Sequence, residues 1–210
     1  MMEKIHHSLT DWELEEGHKY FIDNEQFRSG PTSLCCPAIN TANLMKYVYL
    51  KPALGLNIPF GMVDIYKLFT TFHLTWEFYF RQQTPLVHRG TQNGYKILFQ
   101  DNTRKAAIYR YVSGVLTSLG GINYTNFSSY IWQGFRIEWY TYLNAYFELI
   151  LRIRISQRLG GEWVVQGFVD DAANTFAESG VNRVGFALYG QLESRQVWVD
   201  DTSVYRPKED

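Results

Sequence analysis

The side chains best suited to bind a ligand form an interleaved set of arginine, glutamate and tyrosine in the second half of the chain. The set comprises Arg136, Glu138, Tyr140, Glu148, Arg152 and Arg154. Tyrosine rings can stack on the apolar faces of sugar rings, and the charged groups can hydrogen-bond to sugar hydroxyls. Opposite charges at this spacing can also pair across neighbouring strands without any ligand. The sequence leaves both interpretations open.

Two more aromatic residues extend this candidate site. Tyr79 falls on the polar side of an alternating segment, and Trp132 comes just before a predicted strand, where it could line a rim. Tyrosine is also common in sheets through its β-propensity, and tyrosine is enriched at protein–protein interfaces. Carbohydrate and protein are therefore both candidate partners.

The acidic residues lack the pattern that glycan hydrolysis requires. A retaining glycosidase needs two carboxyl groups about 5–5.5 Å apart, as a Glu-x-Asp-x-x-Glu strand provides. That pattern does not occur, and Glu138 and Glu148 are single acids among arginine and tyrosine. The five histidines show no metal-ligand spacing, and phosphate-loop, dinucleotide and Gly-x-Ser-x-Gly fingerprints do not occur. We therefore predict that the protein is not an enzyme.

Alternation of apolar and polar residues predicts that strands carry these side chains. Apolar residues occupy every second position of the segments 74–80, 135–139, 147–155 and 184–188. A helix would scatter the charged residues around its circumference, whereas a strand places them on one face. If 135–140 pairs with 147–155 as a hairpin, the charged residues form one patch. Further strand candidates are 19–23, 33–36, 44–51, 95–100, 106–112, 162–168 and 195–200.

These short strands at regular spacing predict an all-β fold, an antiparallel β-sandwich with at most one or two short helices. Gly160-Gly161 marks a hairpin, 64–71 fits a helix or a strand, and 171–178 is predicted as a loop with at most one helical turn. The length of 210 residues suits a single domain over residues 1–210, with loose termini at 1–10 and 206–210.

The chain is rich in aromatic residues, with 14 Phe, 15 Tyr and 6 Trp. Alternation assigns most Phe and Trp to the core between the sheets. It leaves a smaller set, mostly tyrosine, facing outward beside arginine and glutamate. The predicted core includes Trp76, Phe78, Phe80, Phe135, Trp139, Phe147 and Phe186.

The charge balance restricts the partners. Lys and Arg number 20 and Asp and Glu 21, which gives a formal net charge of −1 at pH 7. This balance argues against nucleic acid, whose phosphates require a basic field. No run of about 18 apolar residues predicts a membrane span, and no apolar signal-peptide core is visible. We expect synthesis in the cytoplasm, with assembly into a virion or extracellular particle as one route to the outside.

Both ends of the chain resemble a known group of folds. Asp11-Trp12-Glu13, Ile22-Asp23 and the segment 28–34, RSGPTSL, resemble the opening of jelly-roll carbohydrate-binding modules. The segments 184–188 and 197–205, VGFAL and VWVDDTSVY, resemble the closing strands of concanavalin-A-like lectins. The resemblance covers about a third of the chain. It implies a concanavalin-A-like jelly roll in which 33–34 lies near 197–201 and the termini are close together.

The resemblance also implies a metal site and raises a second enzymatic possibility. Related folds hold a structural calcium ion between an N-terminal acid and a closing aspartate pair, which match Glu13, Asp200 and Asp201. The two aspartates could equally bond to backbone amides. Related folds also include polysaccharide lyases. Arg136-Ile137-Glu138 matches one lyase strand, whereas Gln166-Gly167-Phe168 lacks the histidine of another.

The sequence therefore predicts a non-catalytic module that recognises polysaccharide or cell-surface glycan, by analogy with related folds. The first alternative is a structural protein of a virus-like particle, such as a capsid-decoration, spike or tail component. Such a protein would form homo-oligomers or other protein contacts. The second alternative is a glycan-cleaving hydrolase or lyase.

Overall fold

Fifteen β-strands form two antiparallel sheets in the part of the chain that the structure, a computed structural model, describes. That part comprises residues 2–6, 12–14, 21–23, 28, 33–36, 44–50, 58–69, 75–83, 92–125, 130–176, 182–190 and 197–207. In chain order the strands are β1 (Met2–His6), β2 (Trp12–Leu14), β3 (Phe21–Asp23), β4 (Ser33–Cys36), β5 (Leu44–Leu50), β6 (Gly61–Phe69), β7 (Thr75–Gln82), β8 (Gly94–Gln100), β9 (Lys105–Val112), β10 (Val115–Asn123), β11 (Gln133–Leu143), β12 (Leu149–Leu159), β13 (Glu162–Asp171), β14 (Arg183–Gly190) and β15 (Val197–Pro207).

The two sheets have different strand orders. Sheet A runs β13-β12-β11-β6-β15-β4-β3, with β1 also paired to β15, and sheet B runs β10-β9-β8-β7-β14-β5-β2. The predicted antiparallel sandwich is confirmed. The described residues contain no helix, and hence none that could cross a membrane.

The two ends of the chain meet in sheet A, as the resemblance implies. Val199 of β15 lies opposite Leu34 of β4, and Met2 of β1 lies opposite Pro207 at the end of β15. Residues 2–6 form β1, which pairs with β15 beyond the point where β4 ends, and residues 206–207 end β15. The loose ends expected at 1–10 and 206–210 stay a prediction.

The ambiguous segments also take definite forms. Residues 64–69 belong to strand β6, and residues 172–176 form a turn after β13. Gly160-Gly161 joins β12 to β13 as the predicted hairpin, with φ values of 56° and 89°. Glycine suits this turn because positive φ strains other residues.

Strand alternation sends the large aromatic side chains into the space between the sheets. Trp76, Phe78 and Phe80 point inward from β7 and are at most 2% exposed. Trp76 stacks on Phe99 with ring centroids 4.0 Å apart, and Phe80 lies 5.2 Å from Trp139. Such pairs contribute about 0.5–1.5 kcal/mol beyond their area burial. Many of the aromatic residues of this chain therefore belong to the hydrophobic core.

The predicted core is confirmed with one exception. The confirmed members are Trp76, Phe78, Phe80, Phe135, Trp139 and Phe186. The prediction for Phe147 is wrong, because this residue lies in the turn between β11 and β12 and is 83% exposed. Alternation does not extend into a turn, where backbone conformation decides the direction of the side chain.

A buried ion pair joins the two sheets at one end of the core. The Lys67 ammonium, on the inner face of β6, donates to both carboxylate oxygens of Asp101 at 2.6 and 2.7 Å. The Tyr124 hydroxyl donates to the same carboxylate at 2.9 Å. Both charged side chains are at most 2% exposed. Burial lowers the pKa of Lys67, and the charge of Asp101 opposes that shift.

A second polar cluster joins the sheets at the opposite end. Arg110 of β9 donates to both carboxylate oxygens of Asp171 in β13, at 2.6 and 2.9 Å. The Tyr95 hydroxyl donates to Asp171 at 2.8 Å. Arg81 has a φ of 49° and donates across the sandwich to Thr141 Oγ1 at 3.1 Å. The apolar core is therefore enclosed between two polar contacts that cross from sheet to sheet.

We predict that Lys67→Met destabilises the fold strongly, because it leaves the Asp101 carboxylate buried without its cation. Removing one partner of a buried pair typically costs about 3–5 kcal/mol. Urea unfolding at neutral pH, followed by tryptophan fluorescence, measures the change in unfolding free energy. The control is the double variant Lys67→Met/Asp101→Leu, which removes both charges and should recover part of the loss. A loss below about 1 kcal/mol for the single variant would show that the pair behaves like a surface ion pair.

Candidate functional site

The predicted hairpin forms, and it gathers most of the charged set on one surface. β11 pairs with β12 so that Glu138 lies opposite Arg154 and Tyr140 lies opposite Arg152. Arg136 alternates with the buried residues of β11 and shares this outward side of sheet A. We call the outward surface of β6, β11, β12 and β13 the charged face.

Three of the predicted residues lie outside the pairing of β11 with β12. The Glu148 carboxylate, in the turn after β11, accepts a hydrogen bond from the Asn144 amide at 2.9 Å. Trp132 precedes β11 and packs against a small apolar cluster that includes Trp198. Tyr79 belongs to β7 in sheet B and is 2% exposed. The expectation of one patch is therefore wrong for Glu148 and Tyr79, whereas Trp132 packs on Leu68 of β6, at the edge of the outward side of sheet A.

Each charged member of the set on the charged face has a partner of opposite sign. The pairs are Arg154–Glu138, Arg136–Asp64 and Arg152–Asp170, each with two N–H···O contacts of 2.5–2.8 Å. Bidentate pairs of this kind are strong and directional. Hydrogen bonds from Arg152 hold the pKa of Asp170 below its ordinary value. Pairing across strands, the second interpretation of this set, is what the structure shows.

Aromatic rings on the charged face are covered by the same guanidinium groups. The Arg136 Cζ lies 4.6 Å from the centroid of the Trp163 ring, and the Arg152 Cζ lies 3.9 Å from that of Phe168. Cation–π contacts at exposed sites contribute about 0.5–1 kcal/mol. The rings of Trp163 and Phe168 therefore each present a face that is already occupied.

A second polar surface lies on the outward side of sheet B. Glu77 of β7 is 1% exposed and accepts hydrogen bonds from Lys96 at 2.9 Å and from the Tyr79 hydroxyl. The Lys96 ammonium lies 5.5 Å from the ring centroid of Tyr109 and 5.4 Å from that of Tyr111. We call Glu77, Tyr79, Lys96, Tyr109 and Tyr111 the tyrosine face.

Small residues lie beside parts of the tyrosine face. Gly185 of β14 lies opposite Tyr79, and Ala187 lies opposite Glu77. Ala107 occupies the corresponding position on β9, two residues before Tyr109. Tall rings beside alanine and glycine give the surface relief, and the half-buried rings of the two β9 tyrosines are its accessible part.

The electrostatics of the tyrosine face keep Lys96 charged. Burial lowers the pKa of Lys96, but the charge of Glu77 and hydrogen bonds to Tyr111 and Glu77 outweigh it. The pKa of Lys96 is therefore raised above its ordinary value. At neutral pH this face presents an ammonium donor beside two aromatic rings.

Part of the tyrosine face can be found from the sequence. Lys96 and the two tyrosines at 109 and 111 fall on the polar sides of the predicted strands 95–100 and 106–112. The missing information is topological. Alternation does not indicate that β8 and β9 lie beside β7 in one sheet.

Two of the residues matched to a calcium site, Asp200 and Asp201, bond to other groups of the protein. Glu13 lies on β2 in sheet B, whereas Asp200 and Asp201 lie on β15 in sheet A. The Asp200 carboxylate accepts the backbone N–H groups of Arg28 at 2.8 Å and Asp201 at 2.7 Å. The Arg28 guanidinium pairs with Asp201, and its charge would repel a cation. Among the residues described, no group of three or more metal-ligating side chains occurs.

Comparison with known proteins identifies the fold. No family model and no curated protein sequence matches the chain. The metal-free carbohydrate recognition domain of Emp46p superposes with a TM-score of 0.62 at 12% identity, over 94% of this chain and 88% of that one. The exoplasmic/lumenal domain of VIP36, in its Ca²⁺/Man3GlcNAc-bound form, has a TM-score of 0.58 at 9% identity, over 96% and 85%.

Plant lectins and a hydrolase share the same architecture. The Lotus tetragonolobus seed lectin has a TM-score of 0.56 at 10% identity, over 97% of this chain and 96% of that one. A native glycosidic hydrolase has a TM-score of 0.51 at 12% identity, over 100% and 96%. These comparisons establish the fold, a concanavalin-A-like jelly roll, as the sequence resemblance implies.

We predict that the Arg152–Asp170 pair on the charged face contributes to the stability of the fold, and the variant Asp170→Asn tests this prediction. The Arg152 and Asp170 side chains are 26% and 31% exposed, so their pair should contribute no more than about 1 kcal/mol. The folded-state pKa of Asp170 lies below its ordinary 3.8. The stabilisation by this pair is therefore fully present above the ordinary pKa of 3.8, and it is lost as the pH falls through the lower folded-state pKa.

Urea unfolding of the wild type and Asp170→Asn measures this contribution at two pH values. The wild type should be more stable at about pH 7, and the difference should shrink towards zero at about pH 2. A stability difference that persists at low pH would show that the effect of Asp170→Asn does not come from the loss of the carboxylate charge.

Proposed function

We propose that this protein is a non-catalytic glycan-recognition module that binds carbohydrate on the tyrosine face. The observation that carries the proposal is the Lys96 ammonium between the half-buried rings of Tyr109 and Tyr111. Aromatic rings provide apolar platforms for sugar faces, and a few fixed polar groups provide orientation.

The polar groups of the tyrosine face are ordered before any ligand arrives. Lys96 is held by Glu77, which the Tyr79 hydroxyl also contacts. A site ordered in this way loses less conformational entropy on binding. The Lys96 ammonium has three donor hydrogens, so it can bond to Glu77 and still donate to a sugar hydroxyl.

The charged face is the weaker candidate for the same role. Its guanidinium groups already make two contacts each with a carboxylate, and they also cover its rings. A sugar would have to displace strong, charge-assisted hydrogen bonds. At the tyrosine face the Lys96 ammonium can keep its contacts with Glu77 and Tyr111 and donate its third hydrogen to a ligand.

The acids of the tyrosine face favour binding over cleavage. Among the outward side chains of sheet B that the structure describes, Glu77 is the only carboxylate, and it is bonded to Lys96 and Tyr79. Hydrolysis of a glycosidic bond generally uses two carboxyl groups on opposite sides of the bond. The carbohydrate-recognition and lectin domains among the structural neighbours support the same reading, although one neighbour is a glycosidic hydrolase.

We predict that Tyr109→Ala and Tyr111→Ala each weaken glycan binding by about tenfold, a loss of about 1.4 kcal/mol. A glycan array with the whole chain first identifies a ligand, and isothermal titration then gives the dissociation constants. The matched control is Tyr140→Ala, which removes a half-buried tyrosine from the charged face. That variant should bind like the wild type.

Two outcomes would oppose this proposal. Absence of binding across a broad panel of neutral and acidic glycans would show that the protein does not have the proposed function. Loss of binding in Tyr140→Ala, with Tyr109→Ala unaffected, would move the site to the charged face. Thermal unfolding of each variant checks that affinity and not folding has changed.

We propose a second candidate function, a structural role in a particle such as a capsid-decoration, spike or tail component. The observation that favours it is a set of large apolar side chains exposed at one end of the sandwich, with Tyr146 and Phe147 each 83% exposed. Exposed apolar patches mark interaction surfaces in soluble proteins. Glycan binding on the tyrosine face is compatible with such a role.

A further inference from the structure

The turn between β11 and β12 displays large apolar side chains to solvent. Tyr146 and Phe147 are each 83% exposed, and Leu143 and Leu149, which flank the turn, are 54% and 57% exposed. A folded monomer gains nothing from exposing four such side chains together. The turn is therefore a candidate contact surface.

The backbone of this turn is strained, and its conformation is fixed by hydrogen bonds. Phe147 has a φ of 61°, a region that bulky residues avoid and that glycine would occupy at little cost. The Asn144 side-chain oxygen accepts the backbone N–H groups of Tyr146 and Glu148, both at 2.9 Å. The Asn144 carbonyl accepts the N–H of Phe147 at 3.0 Å.

An aromatic residue at a position suited to glycine, inside a cluster of four exposed apolar side chains, points to a role outside folding. Strained residues persist where the surrounding structure holds them, and they cluster at functional sites. Here the strain turns the Phe147 ring outward beside Tyr146. The turn therefore presents two aromatic anchors on a rigid support.

A second apolar hairpin tip lies at the same end of the sandwich. Val112, Val115 and Leu116, around the turn from β9 to β10, are 42%, 68% and 46% exposed. The pair Arg110–Asp171 connects this tip to β13, close to the β11–β12 turn. We call the seven residues of the two tips the apolar end: Val112, Val115, Leu116, Leu143, Tyr146, Phe147 and Leu149.

Among the residues that the structure describes, the charges near the apolar end are almost balanced. Arg110 is paired with Asp171, and Arg152 is paired with Asp170. Glu148 adds one exposed carboxylate within the β11–β12 turn. Few charges and exposed aromatic residues are typical of the centre of a protein interface. A surface that adsorbs to anionic lipid would instead carry lysine or arginine around its apolar residues.

We propose that the apolar end is a self-association surface that packs against the same surface of a second copy of this chain. A two-fold contact brings identical surfaces together, and a nearly neutral surface can do this with little like-charge repulsion. Buried aromatic side chains contribute about 150–250 Å² each. Two aromatic and five aliphatic residues therefore approach the roughly 800 Å² per partner of a standard interface. This inference does not depend on glycan binding.

The test is the concentration dependence of the molar mass of the whole chain, measured by sedimentation equilibrium. The wild type should form a dimer, and Phe147→Gly and Tyr146→Ser should each weaken it about thirtyfold or more, as expected of an aromatic anchor. Phe147→Gly also relieves the positive φ, so its thermal stability as a monomer should equal or exceed that of the wild type.

The matched control is Tyr130→Gly, at the opposite end of the sandwich. Tyr130 is 71% exposed and has a φ of 62°, so this variant makes the same kind of change away from the apolar end. It should dimerise like the wild type. A wild type that stays monomeric at every concentration overturns the proposal. Flotation of that monomer with neutral lipid vesicles would then assign the apolar end to membrane contact. Equal weakening by Tyr130→Gly also overturns the proposal.

Discussion

The contact between Lys67 and Asp101 constrains the rest of the sandwich. Two opposite charges lie at the end of an apolar core, where each would be costly alone. They are tolerated because both carboxylate oxygens accept from the ammonium and Tyr124 donates to one of them. This contact fixes β6 of sheet A relative to the turn between β8 and β9 of sheet B. The cluster around Asp171 does the same at the other end.

The outer faces follow from this arrangement. Fixing β6 and β11 side by side brings Asp64 to Arg136, and fixing β12 beside β13 brings Asp170 to Arg152. The arginine side chains of the charged face are thereby paired with carboxylates of the same face. On sheet B, the outward carboxylate that the structure describes on β7, β8 and β9 is Glu77, which pairs with Lys96 beside two tyrosine rings. The two faces thus differ in how much of their polar surface remains available to a ligand.

Local patterns in the sequence predicted a large part of this structure. The hairpin of β11 with β12, the pairing of β15 with β4 and the inward aromatic residues of β7 all follow from alternation, turn glycines or terminal motifs. The candidate site was predicted less well, because alternation shows which residues share one face of one strand. It does not show which strands are neighbours, and so Tyr79 was grouped with the wrong sheet.

Other differences have equally physical causes. Asp64, which pairs with Arg136, comes from β6, a strand distant in sequence that carries no local signal for pairing with β11. Asp170 comes from β13, and alternation alone does not set the register that brings it to Arg152 across the predicted hairpin. Phe147 leaves the core because its backbone takes a positive φ in a turn. The proposed calcium ligands were grouped by resemblance, but Glu13 belongs to the other sheet, and the Arg28 guanidinium pairs with Asp201.

The most direct test of the tyrosine face as a glycan site is an NMR titration of protein labelled at its lysine and tyrosine side chains. A bound glycan should shift the ring signals of Tyr109 and Tyr111 and the ammonium or side-chain signals of Lys96 in a saturable way. The signals of Tyr140 and Tyr142, on the charged face, should stay in place. Shifts confined to those two tyrosines, with Lys96 and its neighbours unchanged, would place recognition on the other side of the molecule.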